Sequence, residues 1–192
     1  MNGPFDGDHY VIRKKFINIL GAQFYVLDPQ GRQLGYCRQK AFRLKEDIRI
    51  YADEQQSHEL LAIRARQMID FGAAYDVVDP ATGQKVGALR RKGFASLLRD
   101  SWEVLDVNDQ LLASVTEDSM AMALLRRFLS NLIPQSFHLD IGGETQVVYK
   151  QNFNPFILTL NVILRPGART LIDPRLALAA GVLLAAIEGR NQ

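Results

Sequence analysis

The sequence is poor in the residues that do most catalytic, redox and metal chemistry. Its 192 residues include one cysteine, Cys37, so no internal disulfide framework can form and a reducing compartment is implied. Cys37 sits between Tyr36 and Arg38 in an extended pattern, which reads as an inert, half-buried thiol rather than a nucleophile. The three histidines, His9, His58 and His138, are scattered, and none has a partner at metal-ligand spacing. His138 lies beside Asp140 on an extended stretch, where a structural or exposed histidine is the simpler reading than a catalytic base. No serine occupies a nucleophile-elbow context, and Gly142-Gly143 is followed by Glu144 rather than by a lysine-bearing helix. These absences point away from an enzyme and from a resident metal or cofactor. The net charge of +2 gives no global attraction to nucleic acid. The longest uncharged apolar run, Leu176 to Ile187, falls short of the roughly 18 residues a spanning helix needs. The N-terminal stretch MNGPFDGDHY has no basic segment followed by an apolar one, so no secretory signal is expected and a cytoplasmic protein follows.

What is present is ample core material and a repeat. Hydrophobic residues make up 47% and charged residues 23%, which suits one large domain over residues 1–192. The segment from Phe24 to Gly35 (FYVLDPQGRQLG) recurs from Tyr75 to Gly87 (YDVVDPATGQKVG), again from Trp102 to Ala113 (WEVLDVNDQLLA), and more faintly from Phe137 to Val148. Each copy opens with an aromatic and an aliphatic residue two apart, which share one face of a strand. Each then meets Asp, Pro, Asn or Gly before a second extended run, so the unit is a β-hairpin. A calcium loop needs about six or more oxygen ligands. The tips at Asp28 and Asp79 each supply one carboxylate, and turn chemistry accounts for both. Leu61, Ile63 and Ala65 alternate with Ala62, Arg64 and Arg66, as in a strand with one wet face. Phe156, Leu158, Leu160 and Val162 form the apolar face of another strand. Such runs add up to about twelve short strands with turn signals between them, the pattern of a sandwich or barrel, and closure would remove exposed edges.

Two segments have helical rather than strand spacing. Asp118 or Ser119 can cap a helix through Met120, Leu124, Leu125, Phe128, Leu129 and Leu132 that stops at Pro134, with Arg126 and Arg127 projecting outward. It reads as a cap on one end of a barrel, with an interfacial membrane helix as the alternative. Asp173-Pro174 pairs an N-cap with proline at the first helical position, and the helix it opens can end at Gly189. That second helix is apolar all round and must be surrounded. Its small residues, including Ala177, Ala179, Ala180 and Gly181, slim it enough to fit inside a barrel. The predicted fold class is therefore mainly β: a closed antiparallel barrel of about twelve strands over residues 10–164, wrapped around a hydrophobic C-terminal helix at about 174–188, with one further amphipathic helix.

The hairpin copies, the stretch Gly87-Ala-Leu-Arg-Arg-Lys-Gly-Phe94 and the closing run from Asp173 to Ile187 resemble the scramblase and LURP-one-related proteins of the Tubby C-terminal-like fold. The resemblance covers about Tyr10 to Glu188. It implies a twelve-stranded closed barrel threaded by a hydrophobic helix. Tubby-type members bind phosphoinositide head groups, and phospholipid scramblases move lipid between leaflets. The chain shows no acidic calcium loop, no longer membrane segment at its end and no proline- and cysteine-rich N-terminal extension, so the LURP-one-related members are the closer comparison.

Local charge says more than total charge. Arg38, Lys40, Arg43 and Lys45 form one acid-free basic run, and Lys85, Arg90, Arg91, Lys92 and Arg99 form another. Equivalent strands of successive repeats are expected to bring the two groups onto neighbouring surface. Arg90, Arg91 and Lys92, then Arg38 and Lys40, are the candidate contacts for anionic phospholipid at a membrane surface, each worth about 1 kcal/mol near an anionic bilayer. Few aromatics are interleaved for base stacking, so a nucleic-acid partner is disfavoured. The expected function is a non-enzymatic cytoplasmic binding or scaffold domain, peripheral at an anionic membrane. Scramblase-like lipid translocation and a protein-interaction domain without a small ligand are the alternatives.

Overall fold

The computed structural model describes residues 4–16, 21–40, 47–66, 74–92, 101–117, 135–152 and 157–187. Twelve strands follow one another: β1 (His9–Phe16), β2 (Gly21–Leu27), β3 (Gln33–Lys40), β4 (Ile48–Tyr51), β5 (Glu59–Ala65) and β6 (Ala74–Val78) form the first half. The second half is β7 (Lys85–Arg91), β8 (Ser101–Leu105), β9 (Leu111–Glu117), β10 (Ser136–Ile141), β11 (Glu144–Gln151) and β12 (Leu158–Leu164). Each pairs antiparallel with its neighbours in sequence, and β1 pairs with β12, so the sheet closes into a barrel with no free edge. A 3₁₀ turn at Ala168–Thr170 then leads into α1 (Pro174–Ile187). The expected helix between Asp118 and Pro134 lies outside the described residues.

The repeat seen in the sequence is a bulged hairpin. In β2–β3 the register steps so that Val26 faces Gly35 and Leu27 faces Gln33, leaving Leu34 as the extra residue. The same step leaves Leu60 extra in β4–β5, Val86 in β6–β7 and Leu112 in β8–β9, at even spacing along the chain. Gln146 holds that position in β10–β11. The four apolar bulge residues pack against the core from the rim of the barrel. Tips are built by local side-chain hydrogen bonds. Asp28 Oδ1 accepts from the amides of Gln30 (2.9 Å) and Arg32 (2.8 Å), and Asp106 Oδ1 accepts from Asn108 and Gln110 (both 2.8 Å). The backbone then turns through a left-handed residue, glycine at Gly31 and Gly83 but Asp109 in the third copy (φ 63°).

Every residue of α1 from Leu176 to Ala186 is buried. Asp173 caps the helix through Oδ1 to the amide of Arg175 (2.8 Å), the bond its sequence promised. Arg175 in turn reaches Asp79 at 2.9 Å, tying the helix entry to the β6–β7 tip. At the other end the buried Lys14 turns inward from β1, donates to the Ala185 carbonyl (3.2 Å) and lies over the Phe24 ring (5.6 Å). A cation at the carbonyl end of a helix is favourably placed against its dipole. The Tyr149 hydroxyl, on β11, donates to the Ala177 carbonyl (3.0 Å), and burial pushes its pKa far up. Tyr10 donates to the carbonyls of Phe5 and Gly7 (both 2.6 Å), fastening the N-terminal strap, and burial raises its pKa to about 12.

Two details of the side-chain pattern differ from expectation. Ala62 is fully buried along with Leu61 and Ile63, so the middle of β5 is covered on both faces. Its outer face meets Arg49 of β4 and Val78 of β6 in register. Cys37 is buried rather than half-buried, facing Phe24 inside the barrel, and desolvation raises its pKa to about 12. On β12, Leu158, Leu160 and Val162 face the core as their spacing required, while Phe156 lies outside the described residues.

The repeated glycines mark close approaches. A Cβ on Gly181 would lie 2.8 Å from Val162 and 2.9 Å from Ile12, so this position lets α1 seat against β12 and β1. A Cβ on Gly87 would lie 2.6 Å from the Leu105 carbonyl oxygen and 2.9 Å from Leu176. Replacing a strand glycine by alanine ordinarily gains about 0.5–1 kcal/mol. At Gly87 the clash is with backbone, and Gly87→Ala is expected to lose about 1–3 kcal/mol instead, read as a lower midpoint in urea unfolding.

Candidate functional site

Two four-strand stretches of the barrel's outer face differ in their charge balance. On β6–β9 the exposed cations are matched. Arg90 of β7 pairs with Glu103 of β8 (2.5 Å), and Lys92 binds the other oxygen of the same carboxylate (3.2 Å). Burial opposes ionisation of Glu103, but these two partners outweigh it and hold its pKa below the usual range. Arg66 and Lys85 both meet Asp109 (2.5 and 2.7 Å) and Asp76 (2.6 and 3.4 Å). Asp109 is held below the usual carboxylate range, first by Lys85 and then by Arg66.

On β12, β1, β2 and β3 the situation reverses. These four adjacent strands contain no aspartate or glutamate. On β1 the buried Tyr10, Ile12 and Lys14 face inward, which sends Arg13 and Lys15 outward, and both are exposed. Lys15 pairs in register with Gln23 of β2, and Gln23 pairs with Arg38 of β3, so Lys15, Gln23 and Arg38 form one outward row. In the next row Arg13 faces Tyr25, which faces Tyr36. Tyr25 and Tyr36 pack edge to face with centroids 5.4 Å apart, and Gln23 Nε2 donates to the Tyr36 hydroxyl (2.9 Å), making a firm floor between the cations. Among the described residues Arg13, Lys15 and Arg38 have no anionic partner. Glu54 of the β4–β5 tip reaches this floor. It hydrogen-bonds Tyr25, whose pKa is raised first by desolvation and then by Glu54. Cross-strand neighbours sit about 5 Å apart, so three cations within two adjacent rows suit a phosphate-bearing surface.

The sequence-predicted contacts are therefore separated. Arg38 belongs to the unbalanced patch. Lys40 ends β3, its backbone paired with Gly21, and its side chain lies outside the described set. Arg90 and Lys92 are neutralised by Glu103. Arg91 is half-buried on the inner face of β7, in register with Trp102, and does not line up with its neighbours on the surface. The expectation that the two basic groups adjoin is not met, because β4, β5 and β6 stand between β3 and β7. Arg43, Lys45 and Arg99 lie outside the described residues. Arg13 and Lys15 were missed because Arg13-Lys14-Lys15 is a short run on its own. Only the strand period reveals that its middle lysine turns inward while the flanking cations turn out. Among the described residues no three His, Cys, Asp or Glu side chains gather as a metal site, and no described helix is long and apolar enough to cross a membrane.

The neutralised stretch on β6–β9 yields a pH-dependent expectation. The folded pKa of Asp109 lies below its unfolded value of about 4, so its stabilisation is present above that value and lost as pH falls through the folded one. Asp109→Asn keeps a residue suited to the left-handed backbone there. It is expected to cost under about 1 kcal/mol at neutral pH, as surface pairs do, and its difference from the parent protein should shrink as pH falls below about 4, read by urea denaturation.

A family model described as LURP-one-related matches residues 33–184, from the first residue of β3 through most of α1. Neither a comparison with curated proteins nor one with solved structures returned a match. The match takes in ten of the twelve strands and the helix they enclose, and the chain belongs to the LURP-one-related family.

Proposed function

We propose that this protein is a non-enzymatic binding barrel that holds anionic phospholipid head groups at the cytoplasmic surface of a membrane. The observation that carries this reading is the outer face of β12, β1, β2 and β3, whose own residues include no Asp or Glu, with Arg13, Lys15 and Arg38 lacking anionic partners among the described residues. Solvated barrel faces ordinarily mix both signs, as β6–β9 do here. The resemblance to Tubby-type and scramblase proteins supports the same reading, because it implies a closed barrel around an apolar helix and an attachment to lipid. Binding suits this barrel better than translocation. Among the described residues its interior is filled by α1 and mainly apolar side chains, which favours holding a head group on the outside over passing one through.

Flotation of the purified protein with liposomes tests the proposal. Vesicles containing phosphatidylserine or phosphoinositides should carry the protein upward, neutral phosphatidylcholine vesicles should not, and added salt should weaken the association. The double variant Arg13→Ala/Arg38→Ala is expected to lose about thirtyfold in affinity, from about 1 kcal/mol per basic residue. Arg90→Ala/Lys92→Ala should stay within about twofold, because Glu103 already neutralises that pair. Equal losses in the two variants would remove the β1–β3 patch from the account. Absence of flotation under every condition would favour a protein partner.

A further inference from the structure

The basic patch does not sit midway along the barrel. The five hairpin tips among the described residues lie at one end, and an aspartate stands in or beside each of them: Asp28, Asp53, Asp79, Asp106 and Asp140. Lys15 is the penultimate residue of β1 and Arg38 lies near the end of β3, both at the opposite end. At that same end Ile157 precedes Leu158, the residue of β12 that pairs with Lys14 of β1. Leu158 is buried, so Ile157 falls on the outer face, beside Lys15 by continuation of the register, and is 43% exposed. A branched aliphatic side chain is thus held at the surface against a row of cations that lacks acidic partners among the described residues.

We infer that the barrel meets an anionic bilayer with the end remote from its hairpin tips. Arg13, Lys15 and Arg38 then contact lipid phosphates, and Ile157 enters the boundary between head groups and acyl chains. This inference rests on the lipid-binding reading and adds an orientation and an apolar anchor to it. Charge complementarity fixes the occupant and its side. An anionic surface attracts the end bearing these cations and repels the tip end, where Asp28 and Asp79 are paired with Arg32 and Arg175 but Asp53, Asp106 and Asp140 have no cationic partner among the described residues. A cationic rim with an aliphatic residue at its edge is the combination that holds proteins at the interface, since electrostatic attraction alone falls off within a Debye length.

Site-directed labelling tests the orientation directly. Cys37 is buried with its pKa raised to about 12, so the native protein should take up no thiol-reactive dye and an introduced cysteine will carry the only label. The environment-sensitive fluorophore NBD would be placed by Ile157→Cys and, as the control at the tip end, by Thr82→Cys. On phosphatidylcholine vesicles containing phosphatidylserine, the label at position 157 should brighten, shift to the blue and be quenched by lipids brominated on their acyl chains. The label at position 82 should do none of these. In parallel, unlabelled Ile157→Ser should weaken binding to these vesicles about tenfold with an unchanged salt dependence, whereas Arg38→Ala should reduce both affinity and salt dependence. Binding with no spectral change at 157, and no loss in Ile157→Ser, would overturn the orientation and leave the phosphate contacts standing. A label at 82 that responds instead would reverse the orientation. Failure of the unmodified protein to bind anionic vesicles would overturn both readings.

Discussion

An apolar helix of fourteen residues has to be enclosed, and the rest of this molecule is arranged around that requirement. The helix has no polar face to give to water, so the barrel must close, and closure requires β1 to return beside β12. Enclosure also obliges the helix to bring little volume and to leave no polar group stranded. Alanines and Gly181 meet the first demand, with Gly181 allowing contact with Val162 and Ile12. Asp173, Tyr149 and Lys14 meet the second, at the entry, along the first turns and near the exit. Lys14 is notable as a buried cation, because its position against helix carbonyls offsets the desolvation that would otherwise exclude it.

Filling the barrel from inside leaves chemistry to the outer face, and the repeat explains why that face is uneven. Each bulged hairpin repeats a backbone, not a charge pattern. The β6–β7 and β8–β9 hairpins are joined by ion pairs that cross from one to the next, through Glu103 and Asp109. The β12, β1, β2 and β3 strands have no counterpart to these acids. That part of the surface includes the seam where the first and last strands of the sheet meet, with β1 closing on β12. A surface free of internal charge partners is open to an external one.

Most of the fold was legible because its signals are local and periodic. Three of the hairpins are led by aromatics at Phe24, Tyr75 and Trp102, and their tips are marked by Asp with Pro, Asn or Gly. The α1 cap and its all-apolar composition could be read directly. The β4–β5 hairpin was not recognised as a copy, since Ile48-Arg-Ile-Tyr51 opens on an aliphatic and its tip lacks glycine, using Gln56 in the left-handed region instead. The candidate site was much less legible. Arg38 was found from a basic run, but its partners Arg13 and Lys15 are distant in sequence and adjacent only through strand pairing. Arg90, Arg91 and Lys92 form a more conspicuous run, yet Glu103 neutralises two of them and the third turns inward. A basic run reports charge along the chain. Binding depends on charge left over after pairing across it.

The central claim is that α1 stays inside the barrel while the outer face meets lipid. Amide hydrogen exchange of α1, with and without vesicles containing phosphatidylserine, addresses it most directly. The account predicts that amides from Leu178 to Ala186 exchange only through global unfolding, as slowly as the inner strands, and that vesicles leave them protected. Exchange of α1 ahead of the strands, or its deprotection on binding vesicles, would mean that the helix leaves the barrel, and would contradict the account.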